Sequence, residues 1–171
     1  MSSRMQIRTA TPADAAVLRE IYRPYVETTA ISFELEVPSI EEFGRRISVA
    51  VEGWAWLVAE VDGRPVGYAY ASAHRAREAY RTSVETSAYV REDYQRQGIG
   101  RALYTQLLNE LSERGYASAF AAITLPNDAS VGFHESLGFE RIGVFPRVGR
   151  KFGAWHDVAW FYRSLQDSVQ D

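Results

Sequence analysis

The sequence predicts one mixed α/β (α+β) domain over residues 1–171: a central, mostly antiparallel twisted sheet of about seven strands flanked by about four helices. Three observations predict it. The apolar patterns run β-α-α-β-β-β-α-β-α-β-β, with no internal repeat, low-complexity stretch or linker. Asp62-Gly63 between two β-rich runs marks an antiparallel hairpin. A helix-like run between the strand-like runs Val84–Val90 and Tyr116–Thr124 marks a parallel, right-handed crossover.

Met5–Thr9 reads as a short strand. Thr11 and Pro12 supply an N-cap and a first helical position. Val17, Ile21 and Tyr25, and likewise Leu18, Tyr22 and Val26, recur every fourth residue and give one apolar face. Pro24 is expected to kink or strain the last turns of that helix. Thr28–Val37 is a connector carrying Phe33, and Ser39-Ile40-Glu41-Glu42 is a capping box that starts a second helix at Ile40, running to about Val49. Trp54–Val61 and Pro65–Ala71 are the hairpin strands, and Ala73–Ser83 is a polar, arginine-rich loop. The third helix, Arg101–Arg114, stops at Gly115, a residue type suited to the C′ position. Pro126-Asn127-Asp128 leads into a fourth helix that Gly138 stops, and Phe139–Phe145 and Trp155–Arg163 close the chain as strands.

A length of 171 residues is enough for a real core, and 46% hydrophobic with 24% charged residues is ordinary for a soluble globular protein. The net charge of −3 argues against nucleic acid or anionic membrane as a partner. The chain has no cysteine, which removes disulfides, thiolate metal sites and a cysteine nucleophile, and fits a reducing compartment. With only three scattered histidines, no metal site is expected. No apolar run approaches a membrane span and Met1–Arg4 lacks a signal h-region, so the expectation is a cytoplasmic enzyme or binding protein.

The segment Gln95-Arg96-Gln97-Gly98-Ile99-Gly100 lies between a strand and a helix. Glycines at the mouth of a helix let a ligand approach the backbone, where free N–H groups and the positive end of the helix dipole favour phosphate. Arg96 and Arg101 add charge, so a pyrophosphate-bearing ligand is the first hypothesis. A P-loop fails for want of Lys-Ser/Thr, and a dinucleotide fingerprint fails because Leu103 stands where a third glycine belongs. Glycines that serve only the turn remain the plain alternative.

Read with its flanks, the loop says more. Ala88-Tyr89-Val90 followed by Gln95-x-x-Gly98-x-Gly100 resembles the acetyl-CoA loop of the GCN5-related N-acetyltransferase (GNAT) superfamily. Asn127-Asp128-Ala129-Ser130, His134 and Leu137-Gly138-Phe139 follow at the spacing usual there. Four further segments are similar to the phosphinothricin and methionine sulfoximine acetyltransferases: Ser32-Phe33-Glu34, Arg75–Tyr80, Val84–Val90 and Lys151–Val158. The resemblance implies acetyl transfer from acetyl-CoA to the α-amine of a small amino-acid analogue, in a homodimer. It assigns the cofactor to Ala88, Tyr89, Val90, Arg96, Gln97, Gly98, Ile99, Gly100, Arg101, Asn127 and Ser130. It assigns the acceptor to Phe33, Arg75, Ala76, Arg77, Glu85, Thr86 and Ser87.

The residue types suit these roles. In an extended segment Arg75 and Arg77 project the same way, and two guanidinium forks can hold a carboxylate or phosphinate; the plain reading is a solvated loop. Glu85 shares a strand face with Ser87 and Tyr89, where a carboxylate of raised pKa can take the ammonium proton, as the matching Glu is proposed to do in the resembled group. The strand end Ala88–Val90 can pair through its backbone with the pantetheine amides. His134 shares a helix face with Ser130 and Asn127, and serves either as acid to the leaving thiolate or as a hydrogen-bonded structural residue. His74 and His156 have weaker claims. The rivals are an acetyltransferase for another amine, such as a protein N-terminus, and a non-catalytic acyl-CoA-binding module. The arginine pair speaks against a polyamine.

Overall fold

The computed structural model describes residues 3–166. In chain order the elements are β1 (Met5–Thr9), α1 (Ala15–Glu27), α2 (Ile40–Gly53), β2 (Ala55–Val61), β3 (Arg64–Ala73), β4 (Ser83–Val90), α3 (Ile99–Glu113), β5 (Ser118–Thr124), α4 (Asp128–Ser136), β6 (Glu140–Lys151) and β7 (Ala154–Ser164). All strands join one sheet in the order β1-β2-β3-β4-β5-β7-β6. Every neighbouring pair is antiparallel except β4 and β5, which α3 connects as a crossover. The predicted order of elements and the mixed sheet are both present.

The differences are local. Thr11 and Pro12 open a 3-10 turn over Pro12–Asp14, and α1 starts only at Ala15. The buried Asp14 carboxylate accepts from the Thr11 N–H at 2.9 Å and from Arg8 at 2.7 Å, and pairing with that guanidinium holds its pKa below the usual range. Pro24 sits in the last turn of α1, where its carbonyl takes the Thr28 N–H at 3.0 Å and hydroxyl at 2.7 Å. Only half of the capping box at α2 forms. Ser39 Oγ accepts from the Glu42 N–H at 3.1 Å, while the Glu42 carboxylate turns to Arg45 and Arg46.

The largest difference is β6. Pro146 suggests a stop near Phe145, yet the strand runs on to Lys151, absorbing the proline in a register break between Phe145 and Gly149. It turns into β7 at Phe152-Gly153, with φ of 51° and 74°, the left-handed pair that a two-residue hairpin demands.

The sheet is covered on both faces. Leu103, Leu107 and Leu111 of α3 bury against Ala69, Ala71, Ala119 and Ala121, whose small side chains let the helix approach. On the other face Leu18, Ile21 and Val26 of α1 and Phe43 and Ile47 of α2 cover Trp56, Val58 and Tyr68.

Candidate active site

β4 and β5 pair only through Ser83↔Ser118, Val84↔Ala119 and Glu85↔Phe120. Beyond that point β4 stays with β3 as far as Val90↔Gly67, while β5 stays with β7 as far as Thr124↔Val158. The sheet therefore forks at Glu85, and the β5-side edge of Thr86–Val90 has no strand partner among the described residues. An open edge of this kind offers backbone donors and acceptors to an extended ligand. Its far end is partly engaged: the Tyr25 hydroxyl donates to the Val90 carbonyl at 2.6 Å, and Gln95 Nε2 donates to Tyr25 at 2.9 Å.

The glycine loop sits where β4 gives way to α3. A 3-10 turn over Glu92–Tyr94 precedes it, and Gly98 is the N-cap of α3 with φ of 81°. Arg96 is also left-handed, at φ 61°. Alternating right- and left-handed residues turn successive N–H groups into an anion-binding concavity, and the first N–H groups of a helix have no intrahelical acceptor. At Gly100 a Cβ would lie in ordinary contact with the Phe133 ring of α4, at 3.4 Å. Arg101 reaches Ser136 Oγ of α4 at 2.7 Å.

On α4, Asn127 Oδ1 accepts from the Ser130 N–H at 3.2 Å and caps the helix. His134 is buried, with Nδ1 2.8 Å from the Ser130 carbonyl and Nε2 3.2 Å from the Tyr104 hydroxyl. That pattern places the ring proton on Nδ1, and burial lowers its pKa. It is engaged at both nitrogens, so acting as an acid requires it to leave one partner.

Glu85 stands at the root of the fork, its side chain 31% exposed. Burial raises the carboxyl pKa above the usual glutamate value, while His74 and Arg75 pull it back. Two cavities are lined by its neighbours rather than by Glu85 itself. Its β3 partner Ser72 lines one of about 260 Å³ with Tyr70, Trp56 and Arg46; His74 lines the other, of about 200 Å³, with Arg75, Phe120 and Trp160.

The chain is similar to known proteins over nearly its whole length. The family model for the acetyltransferase (GNAT) domain matches residues 7–160. The chain belongs to the GNAT acetyltransferase family. It is 40% identical over 162 residues to a phosphinothricin N-acetyltransferase of Streptomyces viridochromogenes, covering 95% of this chain and 88% of that protein. It is 35% identical to an L-methionine sulfoximine/L-methionine sulfone acetyltransferase of Salmonella typhimurium, over 95% of this chain and 96% of that protein. The crystal structure of a phosphinothricin acetyltransferase from Sinorhizobium meliloti in complex with acetyl-CoA superposes with a TM-score of 0.92 at 34% identity, covering 99% and 91% of the two chains.

As a GNAT enzyme the chain is an acetyl-CoA-dependent N-acetyltransferase, and its own geometry fits that co-substrate. The open edge of β4 suits an arm that carries amides, and the left-handed loop at the mouth of α3 suits a pyrophosphate. Among the described residues no group of three His, Cys, Asp or Glu is placed to hold a metal, and no helix is long and apolar enough to cross a membrane.

Two expectations differ from the structure. Residues 74–77 are irregular, with bends at 74, 76 and 77, so they are not an extended segment from which Arg75 and Arg77 project the same way; of the two only Arg75 lines a cavity, together with His74. Ala76 and Arg77 are exposed in that turn. Thr86 is buried on the α3 face, so its side chain cannot share an acceptor surface with Glu85 and Ser87, and only its backbone is at the fork. Phe33 is half-exposed against the β6–β7 hairpin, 6.1 Å from the His156 ring and directly over Gly149. Sequence reading missed Trp56, Tyr70, Ser72, Phe120 and Trp160, which line the cavities but look like core in an apolar run.

Proposed function

We propose that this single-domain enzyme acetylates the α-amine of a small amino-acid analogue, with phosphinothricin, methionine sulfoximine and methionine sulfone as the first acceptors to test. One observation carries the reading: a carboxylate of raised pKa at the root of the fork, beside an open strand edge suited to the pantetheine arm. The names of the relatives point to the same acceptors. Acetyl-CoA supplies the activated acetyl group. Glu85 takes a proton from the bound ammonium, and the freed amine attacks the thioester directly; the chain has no cysteine to form an acyl-enzyme. Arg75 holds the acceptor's anionic group, Phe33 walls the acceptor side, and His134 holds α4 against α3.

The edge strand β6 supports a homodimer. Ile142, Val148, Phe152 and Trp155 on this hairpin are all more than half exposed, an apolar surface that a second copy would cover. A chain without cysteine suits a reducing compartment, and we place the enzyme in the cytoplasm.

Thiol release from acetyl-CoA, measured against a panel of amino-acid analogues, tests the reading. Turnover is expected on at least one of the three acceptors, and acetyl-CoA binding without turnover on any amine would overturn it in favour of a binding module.

A further inference from the structure

We propose that His74 is the positioning partner of Glu85 and carries the amine's proton from that carboxylate toward solvent. The inference deepens the reading of Glu85 as base and rests on it. His74 Nδ1 lies 3.7 Å from Glu85 Oε1, just beyond hydrogen-bond reach. It is a buried nitrogen with no hydrogen-bond partner among the described residues. Such an orphan is unfavourable unless another state of the enzyme satisfies it. The surroundings leave it one direction to do so. The ring stacks on Phe120 at 4.8 Å and meets Trp160 and Tyr80 edge-on, each at 5.9 Å, so three sides are aromatic and Glu85 is the nearby acceptor.

The reaction needs such a group. An ammonium nitrogen loses two protons in becoming an amide; the departing thiolate takes one, so one proton per turnover must leave the site. Glu85 accepts it at the fork and passes it to the Nδ1 lone pair of the His74 imidazole. The resulting imidazolium gives up a proton to water, and the ring regains its starting tautomer by exchange with solvent. His74 lines the cavity of about 200 Å³ together with Arg75, which provides the exit. The other charged or titratable groups near the pair are Arg75 and Tyr70 beside Glu85 and Tyr80 against His74, with the Arg46–Glu34 pair beyond Tyr70. From β5 and β7 only the rings of Phe120 and Trp160 face it. None of these is a second base.

The test is kcat and kcat/KM against pH for wild type, His74→Phe, His74→Gln and Glu85→Gln, with an amine that the wild type acetylates. His74→Phe keeps the ring stack and removes the nitrogens. It should lower kcat about tenfold, less than the ~10²–10⁴-fold that a direct acid–base group contributes, and leave the acetyl-CoA KM unchanged. A ring that offers Nδ1 as a lone pair gives the carboxylate no donor, so the acid limb should stay in place while kcat falls. His74→Gln cannot relay a proton either: it should show the same loss of kcat with the limb unmoved, and it keeps the test alive if the Phe variant fails to fold. Wild-type kcat in a folded His74 variant, while Glu85→Gln has lost turnover, would overturn the relay. A fully active Glu85→Gln would instead overturn the base beneath it.

Discussion

Glu85 can be a base because its carboxylate is half-buried at a point where two strands part. Loss of hydration disfavours the charged form, so the proton affinity rises toward that of a useful base. The proposed mechanism requires the ionised form, so kcat/KM should fall as pH drops through a pKa above the usual glutamate value, and Glu85→Gln should abolish that limb along with most turnover. A pH profile with its acid limb at the ordinary glutamate value would contradict this. The two arginines should separate: Arg75→Ala is expected to raise the acceptor KM at least tenfold, and Arg77→Ala only slightly, because Arg75 lines the cavity that His74 also lines and Arg77 does not. Equal effects in initial-rate kinetics would restore the paired clamp. Strand alternation made Glu85 legible in the sequence, since a carboxylate in a β-rich run asks for a reason. His74 was not legible: its nearness to Glu85 depends on how the β3–β4 connection folds back, which a loop sequence does not encode by period.

At the scale of elements, the mouth of α3 depends on Gly98. A Cβ there would meet nothing within 4 Å, so the cost of Gly98→Ala is the left-handed backbone alone, ~1–2 kcal/mol. The variant should fold with a lower Tm and a raised acetyl-CoA KM, read by thermal unfolding and initial rates. Gly149 is the contrary case. Its φ is ordinary, but a Cβ would fall inside the Phe33 ring. Gly149→Ala should displace Phe33 and raise the acceptor KM several-fold while leaving the acetyl-CoA KM alone; unchanged acceptor kinetics would remove Phe33 from the acceptor wall. The glycine loop was readable because a tight turn needs glycine wherever it sits. The length of β6 was not, because Pro146 is a stop signal that only pairing with β7 overrides.

For the whole molecule, the open fork to which acetyl-CoA is proposed to bind is a consequence of sheet pairing. β4 follows β3 and β5 follows β7, and the gap between them is left open. No single residue makes it. At the opposite edge, β6 exposes an apolar hairpin face that a second copy should cover. Sedimentation should show a dimer for the wild type and a monomer for a Val148→Asp, Trp155→Asp double variant; a monomeric wild type would refute the assembly.

The sequence alone determined the order of elements, the crossover, the glycine loop and the candidate base. These follow from local periods, caps and turn residues acting over a few positions. Only the tertiary structure decided where β4 and β5 part, which of two nearby arginines lines a cavity, and that a histidine with a weak claim in the sequence stands beside the carboxylate. Those facts depend on contacts between residues far apart in the chain, and no local pattern carries them.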